Sequence, residues 1–564
     1  MTEGTGAWVA SGREALAAGR WVEARAAFGE ALSHEASAEA LAGLGEAAWW
    51  LGETTTAVQH LESAFAAFVR SGRYAEATFT AMNLYFTFRI SLGWRAVARG
   101  WLHRAARLVD ENGLPALGGW VLLMTAHDSD DAVRSERAAR GALERARDFG
   151  DTDLELCARS QLGACLVQNG HVSEGVTLLG ETMAGALAGE GSRLQTVVYT
   201  SCNTVTSCSR VADVATALQW LRATEGFTDR YGCPHVFTLC RIHHARLLFA
   251  TGDWSGAAEH FEIALRTGRE AEPALYGEAL GGLAELRVAQ GRLEEAAELL
   301  RRAGPHPSCA IARAAWHLAQ DEDSAAIALL ERHLLNIDQQ ERPSPEPYRA
   351  GASAALERGA VLALLASAEA VAGNADAALD AAERLLALAE ETGCDVLVAS
   401  ASFARAEALF AAGRIEDAAS AAERSLGLST GLGLAFDAAR CQLLLARAGA
   451  ETSPAGAAIA ARAALDSFED LGAGPSADRA ASLLRSLGLR AARRGPTGVG
   501  LLSKREREVL GILAGGHTNR AIAARLRVSP RTVEHHVQSI LSKLGLRNRA
   551  AAAAFAAREL EADD

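Results

Sequence analysis

Gly291-Arg292-Leu293-Glu294-Glu295-Ala296 and Gly413-Arg414-Ile415-Glu416-Asp417-Ala418 share one form: glycine, a polar residue, three variable positions, then alanine. Five further stretches repeat it: Gly19–Ala24, Gly52–Ala57, Gly72–Ala77, Gly252–Ala257 and Gly373–Ala378. An eighth, Gly170–Gly175, ends in glycine instead. The physical reading is a helix closed by a glycine that turns through positive φ, followed by a second helix. The small sixth residue lets the two helices approach. Apolar residues then recur at helical spacing, as in Ala24, Ala27, Phe28, Ala31 and Leu32. Gly252 and Gly291 are 39 residues apart, and Gly373 and Gly413 are 40 apart. One helix pair per such interval is the period of an α-solenoid.

Composition agrees with an all-α chain. Of 564 residues, 49% are hydrophobic but only 6% aromatic, so alanine-rich helix packing is expected rather than sheet. A chain this long exceeds a single compact core. The start, Met1-Thr2-Glu3-Gly4, is acidic and lacks the apolar run of a secretion signal. No apolar stretch is long enough for a bilayer, so a cytoplasmic protein with no membrane partner is expected. Nine cysteines, an odd number, argue against a disulfide framework. Cys202, Cys208, Cys233 and Cys240 cluster near His235, His243 and His244, which leaves a metal or redox site open beside the plainer reading of buried thiols.

Repeats 1–490 would offer a concave face to a ligand or protein partner of unknown identity. Trp21, Trp49, Trp50, Trp94, Trp101, Trp220 and Trp254 either line that face or pack between helices. Gly113-Leu114-Pro115 and the proline-rich run 343–347 interrupt the pattern as loops or boundaries. Both lysines of the chain, Lys504 and Lys543, follow serine, so no G-x4-G-K-[ST] phosphate loop exists. G-x-S-x-G and H-E-x-x-H are also missing. An enzyme reading has no residues to carry it, and no cofactor is expected.

Charge is uneven along the chain. Residues 501–549 hold ten Lys/Arg and three acids, a net +7, while the whole chain is −13 and the remainder therefore −20. A basic module on an acidic body suits contact with nucleic acid through that module alone. A Gly/Pro-containing basic linker, 491–500, precedes it. Ser503 and Glu506 form a capping box for a helix carrying Val509, Leu510 and Leu513. Thr518 caps a second helix with Ile522, Ala523 and Leu526 inward. Ser529-Pro530 starts a third that ends at Gly545.

At about 100° per residue, the third helix has an apolar stripe of Val533, Val537, Ile540, Leu541 and Leu544. Arg531, Glu534, His535, Gln538 and Ser542 lie opposite. Thr532, His536, Ser539 and Lys543 run along a flank. Such a helix suits insertion into a major groove, its outer face toward base edges and its flank toward phosphates.

These residues identify the module. Leu502–Leu510, Asn519–Ala523, Val528–Val537, Lys543-Leu544-Gly545 and Arg547-Asn548-Arg549 closely resemble the LuxR-type helix-turn-helix. The repeats resemble longer, degenerate tetratricopeptide repeats. The chain is therefore similar to large LuxR-family regulators, without the nucleotide-binding module of the ATP-binding members.

The resemblance implies a sequence-specific DNA-binding transcription regulator. A tetratricopeptide-like α-solenoid (1–490) would sense a ligand or partner, and a four-helix domain (501–564) would bind double-stranded DNA. By the same resemblance Glu534, His535 and Gln538 read bases and Arg531, Thr532 and Lys543 hold backbone; Thr518 and the flank residue His536 are further backbone candidates. A homodimer on DNA is implied through the last helix, from about Ala550 to Phe555, with RNA polymerase as a candidate partner. Packing of that helix onto its own domain is an equal reading. Where the family usually has glutamate in the second helix, this chain has Ala521.

Overall fold

The computed structural model describes residues 3–129, 132–210, 214–233, 238–340, 352–489, 504–515 and 517–526, and individually 533, 536, 537, 540, 541, 549, 552, 553, 555 and 556. Among the described residues the regular structure is helix throughout, with 27 α-helices and no strand. Most successive helices pack on one another, as expected of a tetratricopeptide-like solenoid. The chain divides into two units, 1–444 and 445–564.

The eight glycines that open the hexapeptides all have positive φ, from 70° at Gly72 to 102° at Gly252. In seven of them the closing turn is the same. The glycine N–H donates to the carbonyl three residues back, and the next N–H to the carbonyl five back, as in Gly291 to Val288 and Arg292 to Arg287. That pairing satisfies carbonyls which the helix end leaves open, and only glycine enters the left-handed region without cost. Gly252 differs, bonding the Leu248 carbonyl four back.

The polar second residue is not the first helical one but the cap before it. The helices begin at Trp21, Thr54, Tyr74, Val172, Trp254, Leu293, Ala375 and Ile415. Of these eight caps, Asp253 bonds through its side chain, accepting from the Gly256 N–H at 2.9 Å.

Small size at the sixth position is a packing requirement. Ala24, Ala57, Ala77, Ala257, Ala296, Ala378 and Ala418 are all completely buried. The one exception to alanine has its reason: a Cβ at Gly175 would lie 2.7 Å from the Gly163 carbonyl oxygen and 2.8 Å from the Val167 nitrogen. Here the two helices touch backbone to backbone. Gly113-Leu114-Pro115 proves to be an ordinary repeat turn, with Gly113 at positive φ and Pro115 the first residue of the helix Pro115–Asp128. The run 343–347 lies outside the described residues.

The first unit also folds back on itself. The Trp21 indole N–H donates to the Tyr231 carbonyl at 2.7 Å, and the Thr54 hydroxyl to the Ala271 carbonyl at 2.6 Å. Trp21 stacks on Trp50 with ring centroids 4.3 Å apart, inside a core shared with Val205, Leu221 and Phe227. The first repeats are thereby held against helices some two hundred residues later.

Candidate nucleic-acid interface and a cavity in the repeats

The helix-turn-helix module is built from its core outward. Val509, Leu510 and Leu513 of the helix Lys504–Ala514 are buried, as are Ile522 and Ala523 of the helix Asn519–Leu526. Val533, Val537 and Ile540 close the same core, and Leu541 packs against it. The apolar stripe read from the third helix is therefore the inward face at every described position. Leu544 of that stripe lies outside the described residues.

Thr518 is exposed and caps its helix. Its hydroxyl accepts from the Ala521 N–H at 3.3 Å, and its carbonyl from the Ile522 N–H at 2.9 Å. His536 is helical and half-buried on the flank. Glu534, His535 and Gln538, together with Arg531, Thr532 and Lys543, lie outside the described residues, as do Ser503 of the capping box and the linker 491–500.

One contact escaped sequence reasoning: Arg549 donates to the Asn519 side-chain oxygen and to the His517 carbonyl, tying the end of the module to the start of its second helix. Ala521, where the family usually has glutamate, is exposed. In the last helix, Ala552 and Ala556 are fully buried in the module's own core, with Ala553 and Phe555 packed against it. These four residues face their own domain.

The first unit contains a partly open cavity of about 470 Å³ where the early repeats meet the later helices. Trp49, Phe79, Phe86, Trp120 and Tyr199 are among its lining residues. Of the seven tryptophans expected at a concave face, Trp49 lines it. Trp21, Trp50 and Trp254 are buried between helices, Trp94 is exposed, and Trp101 and Trp220 pack against core clusters. Trp120 also lines the cavity and was not anticipated.

Polar groups reach the same space. The Asp153 carboxylate accepts from the Ser192 and Arg193 N–H groups, both at 3.1 Å, and from the Thr196 hydroxyl at 2.7 Å. Burial alone would raise that carboxyl, but the hydrogen bonds hold it below its usual range. This capped turn sets Arg193, whose guanidinium lies 4.7 Å from the Phe79 ring and 5.3 Å from Trp120. Gln195 donates to the Glu46 carboxylate at 2.6 Å, and burial raises the Glu46 pKa. Burial likewise lowers His127 to about 3, helped by Arg89 and Arg95, so its ring is neutral beside the Tyr85 hydroxyl at 3.0 Å.

Glu272 is a second acid on this wall that burial raises. It is 4% exposed, and burial pushes it up to about 8 although the Thr238 hydroxyl bonds it. Cys240 also feels its charge. Because the folded pKa lies above the ordinary 4.5, the native chain keeps a proton that the unfolded chain releases. The contribution of Glu272 to stability is then greatest below pH 4.5 and falls as pH rises toward 8, at no more than about 1.4 kcal/mol per pH unit. Urea midpoints of the wild type should fall across that window relative to Glu272→Gln. Parallel curves for the two proteins would remove Glu272 as the cause.

Of the clustered cysteines, Cys202 and Cys240 come together, sulfur to sulfur, at 3.8 Å. Cys208 packs instead with Ala217 and Leu247. All nine are free thiols, and among the described residues no three His, Cys, Asp or Glu are grouped to hold a metal. His235 lies outside the described residues. No described helix is long and apolar enough to cross a membrane.

Comparison with known proteins bears on both parts. Residues 500–556 match the bacterial regulatory proteins of the luxR family, and 9–68, 243–308 and 350–432 match the tetratricopeptide repeat. A probable transcriptional regulatory protein NarL of Mycobacterium tuberculosis is 54% identical over 59 residues, 10% of this chain and 27% of that protein. The DNA-binding transcriptional activator DevR/DosR of the same organism is 40% identical over 90 residues, 16% of this chain and 41% of that protein. The chain thus spans well under half the length of these relatives. Among solved structures, Rap protein complexed with competence and sporulation factor aligns with a TM-score of 0.39 at 13% identity, over 60% of this chain and 99% of that one. This chain joins tetratricopeptide repeats to a helix-turn-helix domain of the luxR family of bacterial regulatory proteins.

Proposed function

We propose that the protein is a sequence-specific DNA-binding transcription regulator. Residues 501–564 contact duplex DNA, and the helical repeats of 1–490 receive a ligand or protein partner that sets the output. The observation that carries this reading is the match of 500–556 to the luxR family, on a module whose apolar stripe is buried as a groove-reading helix requires.

In this reading Glu534, His535 and Gln538 address base edges. Thr518, Arg531, Thr532, His536 and Lys543 address phosphates. Exposed Thr518, at a helix N-terminus, is suited to that contact. The protein acts on DNA as a homodimer and engages RNA polymerase, in the cytoplasm. The deciding experiment is selection of duplex fragments by the full chain from a genomic library, at low and moderate salt. Enrichment of a shared sequence supports the proposal. Absence of any retained duplex at low salt would leave an interaction scaffold as the better account.

Two substitutions separate the roles. Lys543→Ala should weaken binding to every duplex and reduce the salt slope by about 0.9. An unchanged slope takes Lys543 off the phosphate. Gln538→Ala should instead cost roughly 1–3 kcal/mol at one base position. Equal loss on all sequences contradicts base reading there.

A further inference from the structure

We propose that the cavity of the first unit binds a small, largely aromatic or alicyclic molecule carrying one basic amine, with the amine against Glu272 and the apolar body against the ring-lined wall. The proposal rests on the reading of the repeats as the receiving region and gives that region a ligand class.

Size comes first. A volume of about 470 Å³ lies within the range of pockets that enclose small organic ligands. The wall is assembled from helices far apart in sequence, from Trp49 through Trp120 to Tyr199. It is therefore a tertiary feature and not a groove between two neighbouring helices. Aromatic faces in such a wall attract apolar bodies and cations alike.

The charges then choose among ligands. Four glutamates line the cavity: Glu39, Glu46, Glu76 and Glu272. Arg73 pairs with both Glu39 and Glu76. Glu46 is bonded by Gln195 and lies in the field of Arg193. Glu272 is the one left over. Thr238 bonds this carboxyl, and among the described residues its Oε2 is buried with no hydrogen-bond partner.

A buried acceptor without a donor is costly, and native interiors rarely retain one. A ligand ammonium would supply the donor and, by its charge, favour the carboxylate form that burial now opposes. A neutral hydroxyl could supply only the hydrogen bond. A ligand carboxylate would meet Glu272 unfavourably and would have to turn toward Arg193.

The test uses the full chain without DNA and three matched probes followed by titration calorimetry near pH 7.5: 2-(2-naphthyl)ethylamine, 2-(2-naphthyl)ethanol and 2-naphthylacetic acid. The amine should bind at least about tenfold more tightly than the alcohol, with the acid weakest. Glu272→Gln should bring amine and alcohol within about threefold of each other while leaving the alcohol's affinity within about threefold of wild type.

The wild-type ranking decides without any variant, should Glu272→Gln fail to fold. Equal or tighter binding of the alcohol or the acid overturns the proposal. So does an amine preference that survives the substitution, and so does the failure of all three probes to bind. Duplex binding is measured on the same preparation. Retained DNA with no bound probe overturns the cavity proposal alone, whereas a bound amine with no retained DNA overturns the regulator reading alone.

Discussion

Asp128→Ala should destabilise the first unit by about 3–5 kcal/mol, the largest loss expected from a single carboxylate in this protein. Asp128 ends the helix Pro115–Asp128 and is almost buried. Arg89 reaches one of its oxygens at 3.2 Å, Arg95 approaches the same oxygen at 3.9 Å, and Arg99 holds the other at 2.7 Å. Arg95 also donates to the Asp128 carbonyl at 3.2 Å.

Arg89 and Arg95 are nearly inaccessible, whereas Arg99 is half in solvent. Deleting the shared carboxylate leaves two buried guanidinium groups with one acceptor fewer and with stronger mutual repulsion. Most of the cost comes from those two and little from Arg99, whose exposed contact is screened. Asp128→Asn keeps the shape and one acceptor oxygen, so it should recover part of the loss. Urea unfolding followed by far-ultraviolet circular dichroism gives the measure. A shift below about 1 kcal/mol in the transition of the first unit would show that the cluster is held by other means.

Leu513→Asp should reduce duplex affinity at least a hundredfold without touching any residue assigned to DNA. Leu513 is 1% exposed in the core that joins Val509, Leu510, Ile522, Val533 and Ile540. A carboxylate there has no partner, and burying an unpaired charge costs several kcal/mol. A module of 57 residues (500–556) has on the order of 3–8 kcal/mol of stability to lose, at 0.05–0.15 kcal/mol per residue. The third helix would lose its seat and with it the outward presentation of Glu534, His535 and Gln538. Leu513→Met, which keeps volume and apolarity, should cost less than about 1.5 kcal/mol and leave binding intact. Affinity for DNA within threefold of wild type in Leu513→Asp would mean that the fold of this core is not what positions the DNA contact.

Much of the module was legible in the residues because its signals are short-range. Val509 and Leu513 are four apart on one helix, as are Val533 and Val537, and all four are buried. Thr518 caps as its type and place suggested. Arg549 was not legible as a clamp: an arginine near a basic run reads as charge, and its contacts to His517 and Asn519 span some thirty residues. Trp120 escaped for the same reason, since the wall it joins does not exist until distant helices meet.

Helix class, repeat spacing and the glycine turns were written in the chain itself. Each depends on a few neighbouring residues: a glycine free to take positive φ, an alanine small enough for close approach, an apolar residue every third or fourth place. Tertiary structure decided the rest. Each repeat adds a small rotation, and no local pattern states the accumulated sum. Only that sum brings Trp21 to Tyr231 and Thr54 to Ala271, forms the cavity, and leaves the buried Glu272 with an oxygen that no group among the described residues bonds.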